Sequence, residues 1–129
     1  MRSKTILVVE DNRLNRELAV DLLEVAGYAV LQAEDGNGLL ERVQREQPHL
    51  IMLDLQLPGV DGFTLLRQLK ADPGLGRVPV LVVSAYARRE DQERAMAAGC
   101  DGYLTKPLTP RKVREALRQF FPSHERVPA

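Results

Sequence analysis

The sequence predicts an α/β domain, a doubly wound parallel sheet with helices on both faces. Three observations carry this. Short apolar runs alternate with helical segments five times over. The runs are continuously apolar rather than alternating, which suits strands buried on both faces. The connections are short, and strand-then-helix repetition of this kind feeds right-handed crossovers that distribute helices over both sides of one sheet.

The first run, 6–9, ends in Glu10-Asp11. The helix predicted over 13–26 carries Leu18, Leu22 and Val25 at helical spacing as its packed stripe, with Arg16, Glu17, Asp21 and Glu24 elsewhere on the cylinder. Gly27 follows as a C-terminal cap. A run at 29–31 leads to a helix over 38–46. The third run, 50–53, stops abruptly at Asp54, and Pro58 and Gly59 mark a loop before a helix over 63–70. The fourth run, 80–83, ends in Ser84-Ala85, and a helix over 89–98 follows with Gly99 as its cap. The last run, 103–104, ends in Thr105-Lys106-Pro107 and leads to a helix over 110–121 with Pro110 in its first turn. Residues 1–121 read as one domain. Residues 122–129, with two prolines and no core pattern, read as a frayed tail.

The bulk composition narrows the function. The length of 129 residues fits one core, and Lys+Arg balance Asp+Glu at 18 each. Zero formal charge argues against bulk attraction to nucleic acid or an anionic membrane. Cys100 is the single cysteine, so an internal disulfide is excluded and a reducing compartment is permitted. It reads as a small buried residue rather than a reactive thiol. The N-terminal apolar run is too short for a signal peptide or a membrane span, so the expectation is a soluble cytoplasmic protein. Mixed signs over 88–94 read as a solvated helix face. Arg111, Lys112, Arg114 and Arg118 make the last helix basic, either a solvated face or a docking surface for an acidic partner. A DNA-reading role conflicts with the need to pack Val113, Leu117 and Phe120 on the sheet. His49 and His124 read as surface residues.

The chemistry lies at the strand ends. In a parallel sheet all strand C-termini share one edge, where open α/β folds keep their sites. If the first and third strands are neighbours, Glu10, Asp11 and Asp54 converge there. At ~4 Å and an effective dielectric of ~20, each pair of carboxylates repels by about 4 kcal/mol. A proton or a divalent cation must relieve that, and all-oxygen ligands favour Mg²⁺. The backbone carbonyl of Gln56 is placed as a further ligand. Ser84 offers a hydroxyl to a phosphoryl oxygen and Lys106 a point charge. For Asp54 the alternative is a carboxylate that merely ends a strand and caps a turn.

These motifs together resemble the receiver domain of two-component response regulators: Ile-Leu-Val-Val-Glu-Asp-Asn (6–12), Leu-Asp-Leu-Gln-Leu-Pro-Gly-Val-Asp-Gly (53–62), Val-Ser-Ala (83–85) and Gly-Tyr-Leu-Thr-Lys-Pro (102–107). The flavour is that of stand-alone receivers of the DivK kind, or of the receiver of a hybrid histidine kinase. The resemblance covers residues 4–121. It implies five parallel strands in the order 2-1-3-4-5 with five flanking helices. It implies phosphorylation of Asp54 by a histidine kinase or histidine phosphotransfer protein, and slow autodephosphorylation. Asp11, Asp54 and the Gln56 carbonyl would hold Mg²⁺, with Glu10 acting through a metal-bound water. Ser84 and Lys106 would bind the phosphoryl group, and the Lys106–Pro107 bond would be cis. Ser84 would move on phosphorylation and Tyr103 turn inward, changing a surface of helix four, strand five and helix five that a downstream protein reads.

Neighbouring residues take secondary roles under the same resemblance. Tyr86, two positions after Ser84, and Gln56, two after Asp54, flank the route of hydrolytic water, and a bulky Tyr86 would slow dephosphorylation unless it only covers a helix end. Leu14 and Asn15 are candidates for donor docking, unless Leu14 simply extends the Leu18/Leu22 stripe. Competing chemistries fit less well. A flavin site would want a hydroxyl- or glycine-rich loop where Glu10-Asp11-Asn12 repels phosphate. A haloacid-dehalogenase-type phosphatase carries its aspartyl nucleophile after the first strand, not the third. A docking scaffold that acts without phosphorylation is the remaining alternative.

Overall fold

A computed structural model describes residues 4–86 and 88–122. His124 and nearly all of the expected tail lie outside the described residues. The elements run β1 (Thr5–Val9), α1 (Arg13–Val25), β2 (Ala29–Ala33), α2 (Leu39–Glu46), β3 (Leu50–Asp54), α3 (Gly62–Ala71), β4 (Val80–Ser84), α4 (Arg89–Ala97), β5 (Gly102–Thr105) and α5 (Pro110–Phe120). All five strands are parallel, in the order β2-β1-β3-β4-β5, as expected.

Continuous apolarity in the strands is used on both faces. Leu7, Val9, Ile51, Leu53, Val80 and Val82 point to one core, under α2, α3 and α4. The intervening Ile6, Val8, Leu50, Met52, Leu81 and Val83 point to the other, under α1 and α5. Every residue of β3 and β4 is buried, so an alternating polar pattern has no place in them.

The helix ends follow local chemistry. Asn12 caps α1 by accepting the Asn15 N–H at 3.0 Å, and Thr109 caps α5 by accepting the Lys112 N–H at 3.1 Å. Gly27 ends α1 at φ 97° and Gly99 ends α4 at φ 103°, each inside a Schellman pair of bonds. At Gly62 the demand is space rather than conformation: a Cβ there would lie 2.4 Å from Leu55 Cα.

One expectation is corrected. Leu18 and Val25 are 40% and 89% exposed, whereas Ala19 and Leu23 are buried. The packed face of α1 is therefore Ala19/Leu23, with Leu22 and Ala26 at its margin. Small Ala19 lets the helix approach the sheet closely, and the larger Leu18 is turned out beside it. Leu14 does not extend a core stripe either, being 75% exposed. Phe120 packs only partly, while Val113 and Leu117 are buried as expected.

Candidate functional site

Register brings the acids together. Val9 of β1 lies opposite Leu53 of β3, so Glu10 and Asp54 leave adjacent strands at the same level. Asp54 pairs with Val83, and Ser84 with Thr105, which sets Lys106 one residue beyond β5 at that edge. Carboxylate oxygens of Glu10, Asp11 and Asp54 lie within 4.8 Å of one another.

Asp54 is only 3% exposed. One of its oxygens, Oδ1, accepts the Gln56 N–H at 2.9 Å, and Oδ2 accepts from Lys106 Nζ at 3.0 Å. The same ammonium donates to Glu10 Oε1 at 2.6 Å. Glu10 is also buried, and its Oε2 accepts the Asn12 N–H at 3.1 Å. Asp11 is exposed, which leaves the cluster open to solvent on one side.

The electrostatics reflect this crowding. Burial pushes the Glu10 carboxyl from its usual 4.5 up to about 7, against the pull of Lys106 and with the help of neighbouring Asp54. Burial depresses the Lys106 ammonium, but bonds to Glu10 and Asp54 outweigh it and the net shift is upward. The oxygens are hard, close together and open on one side. That set fits an Mg²⁺ ion, which needs few carboxylates and retains water.

Ser84 ends β4 and Tyr103 lies within β5, both outside the cluster. Ser84 is fully buried, and its Oγ accepts the Tyr86 N–H at 3.0 Å. The Tyr103 hydroxyl donates to the Tyr86 carbonyl at 2.8 Å, so its ring is already tied to the β4–α4 loop. Burial pushes the Tyr103 phenol pKa up, and hydrogen bonding with Ser84 pulls the other way. The Lys106–Pro107 peptide bond is cis. A cavity of about 50 Å³ lies beside Asp54, between α1 and residues 106–108, with Asn15, Leu18 and Pro107 in its wall.

Two long cations that read from sequence only as polar-face residues, Arg16 of α1 and Lys112 of α5, reach the backbone around the site. Arg16 Nη1 donates to the carbonyl of Glu10 at 3.0 Å. Lys112 Nζ donates to the carbonyls of Thr105 and Pro107, each at 3.1 Å, on either side of Lys106. Both targets are main-chain oxygens, which carry no residue-type signal. The position of Arg16, four residues past the cap Asn12 and so folded back over the loop, was the available hint. His49 is exposed, as expected, and its Nδ1 accepts the Thr5 N–H at the opposite edge of the sheet.

The comparisons agree with this geometry. Residues 6–118 match the family model described as the response regulator receiver domain. The polar-differentiation response regulator DivK of Brucella anthropi is 36% identical over 118 residues, covering 92% of this chain and 96% of that protein. The receiver domain of the sensor histidine kinase PA1611 from Pseudomonas aeruginosa PAO1 superposes with TM-score 0.85 at 30% identity, covering 95% of this chain and all of that one. That structure has a magnesium ion coordinated in its active site cleft. A CheY-like response regulator receiver domain protein from Methanospirillum hungatei JF-1 superposes with TM-score 0.81 at 29% identity, covering 95% and 97% of the two chains.

Proposed function

The chain belongs to the response regulator receiver domain family, and on that premise we propose that it is a phosphoacceptor signalling domain in which Asp54 takes a phosphoryl group from a partner phosphohistidine. The observation that carries the reading is Asp54 itself: a buried carboxylate at a strand end, ion-paired to Lys106 and facing an open cluster of acids.

An Asp54 carboxylate oxygen attacks phosphorus, the P–N bond breaks, and the donor imidazole leaves with the electron pair and takes a proton. An acyl phosphate results. Mg²⁺ held by Asp11, Asp54 and the Gln56 carbonyl, with Glu10 through water, would neutralise charge on the transferring oxygens. Lys106 is within reach of the same oxygens and stays charged. The Ser84 hydroxyl, one strand away, donates to an oxygen of the phosphoryl group on Asp54, and its Oγ, which accepts the Tyr86 N–H, links that contact to the β4–α4 loop.

The phosphoryl group adds ≈ −1.5 to −2 charges at the head of β3. Tyr103 and Ser84 share the β4–α4 loop through Tyr86, so a shift of Ser84 reaches α4, β5 and α5. A downstream protein reads that face. A change from mostly off to mostly on requires about 5.5 kcal/mol of differential stabilisation, which a few charge-assisted bonds and the partner supply together. The donor, a histidine kinase or histidine phosphotransfer protein, docks beside Asp54. Exposed Leu14 and cavity-lining Asn15 support that location.

The protein acts in the cytoplasm without binding DNA or membrane. In support, no described helix is long and apolar enough to cross a bilayer, and charges balance. Residues 1–121 form the signalling domain. Incubation with acetyl phosphate and Mg²⁺ followed by intact-mass measurement tests the reading. One phosphoryl adduct, lost in Asp54→Ala, is expected; an unmodified protein would favour a scaffold that docks partners without phosphorylation.

A further inference from the structure

We infer that Arg16 is a positioning residue for the acidic pocket: from α1 it holds the backbone of Glu10 and Asp11 so that both carboxylates face Asp54. The inference rests on the receiver reading and adds to it a residue outside the reacting set. The Arg16 side chain is only 11% exposed although it is charged. Its Nη1 donates to the Glu10 carbonyl at 3.0 Å and, at 3.4 Å, to the Asp11 carbonyl. Nη2 donates to Glu34 Oε1 at 3.3 Å, just past the end of β2.

Those carbonyls lie where the sheet no longer holds the chain. The ladder between β1 and β3 ends at Val9. Beyond it, Glu10 keeps one sheet-like bond, from its N–H to the Ala33 carbonyl at 3.0 Å. The direction of a side chain on a loop follows the loop's backbone, so pinning two successive carbonyls aims two successive carboxylates. Lys106 offsets part of the repulsion among the three carboxylates within 4.8 Å, and the remainder pushes the loop outward against the Arg16 contacts. A planar guanidinium can span both carbonyls and Glu34 at fixed angles, whereas a lysine ammonium on a flexible stem cannot hold the same fork.

The alternatives predict different signs. If Arg16 acted only through its charge, it would repel a divalent cation and its removal would tighten binding. If it only supported the fold, its removal would lower the melting temperature and leave affinity unchanged. Calorimetric titration of Mg²⁺ at pH 8 into the unsubstituted protein, Arg16→Lys, Arg16→Gln and Glu34→Gln separates them, with melting temperatures taken alongside. Both Arg16 variants are expected to bind about tenfold more weakly, the range found when an outer partner of a metal ligand is lost. Glu34→Gln is expected to weaken binding less, because the carbonyl contacts remain. Unchanged or tighter binding in both Arg16 variants overturns the inference. Backbone ¹⁵N relaxation at residues 10–12 in metal-free protein gives a second readout: Arg16→Lys should loosen this loop, and identical relaxation overturns the inference. If the unsubstituted protein takes up no Mg²⁺, the receiver reading fails, and the relaxation result alone decides the role of Arg16.

Discussion

Replacing Glu10 by glutamine should stabilise the metal-free protein at pH 8 and leave it nearly unchanged at pH 4.5. Glu10 is buried, and its carboxyl is raised from 4.5 to about 7 in the folded chain. The native state therefore holds this proton more tightly than the unfolded chain does. The stability it contributes is full below 4.5 and is lost as pH rises through about 7. That interval corresponds to roughly 3 kcal/mol. Glutamine keeps an acceptor for Lys106 and never ionises, so the variant escapes the loss. For a chain of this length about 3–5 °C accompanies each kcal/mol, which makes the expected gain about 10 °C at pH 8. Thermal unfolding in a chelator at the two pH values measures it. A variant no more stable than the parent at pH 8, or one with equal gains at both pH values, would refute the electrostatic account of the pocket.

Removing the cation should do the opposite. Lys106→Met leaves Glu10 and Asp54 buried without their shared partner, and is expected to cost about 3 kcal/mol at pH 8. The cost should shrink at pH 5 as Glu10 takes up a proton; urea unfolding at both pH values checks it, and equal losses would contradict it. Gly62→Ala places a methyl 2.4 Å from the Leu55 backbone and should lower stability by about 1–3 kcal/mol, read as a lower urea midpoint. Tyr86, half-exposed beside Ser84, is expected to shield the acyl phosphate from water. Tyr86→Ala should shorten the phosphoprotein lifetime, and an unchanged decay rate ends the idea.

Much of this architecture was legible because strand burial is written in consecutive residues. The runs at 6–9, 50–53 and 80–83 are apolar without a break, and each became a strand with its boundary within one residue. The acids, Ser84 and Lys106 were legible for the same reason, since each stands where such a run stops. The face of α1 was misread because side-chain size was weighed above fit. Ala19 packs and Leu18 does not, a choice made by the closeness of α1 to β1 and β2 that no spacing rule encodes. Lys112 was read as part of a basic face, yet its ammonium folds back to two carbonyls around Lys106. Side chains that grip main-chain oxygens leave no trace in residue identity, so Arg16 and Lys112 required coordinates.

A crystal structure grown with Mg²⁺ and a beryllofluoride phosphoryl mimic addresses the central claim in a single measurement. The account predicts the ion on Asp11, Asp54 and the Gln56 carbonyl, and the mimic on the Asp54 carboxylate in contact with Lys106 and Ser84. An ion bound away from the three acids, or a mimic on any residue other than Asp54, would contradict it.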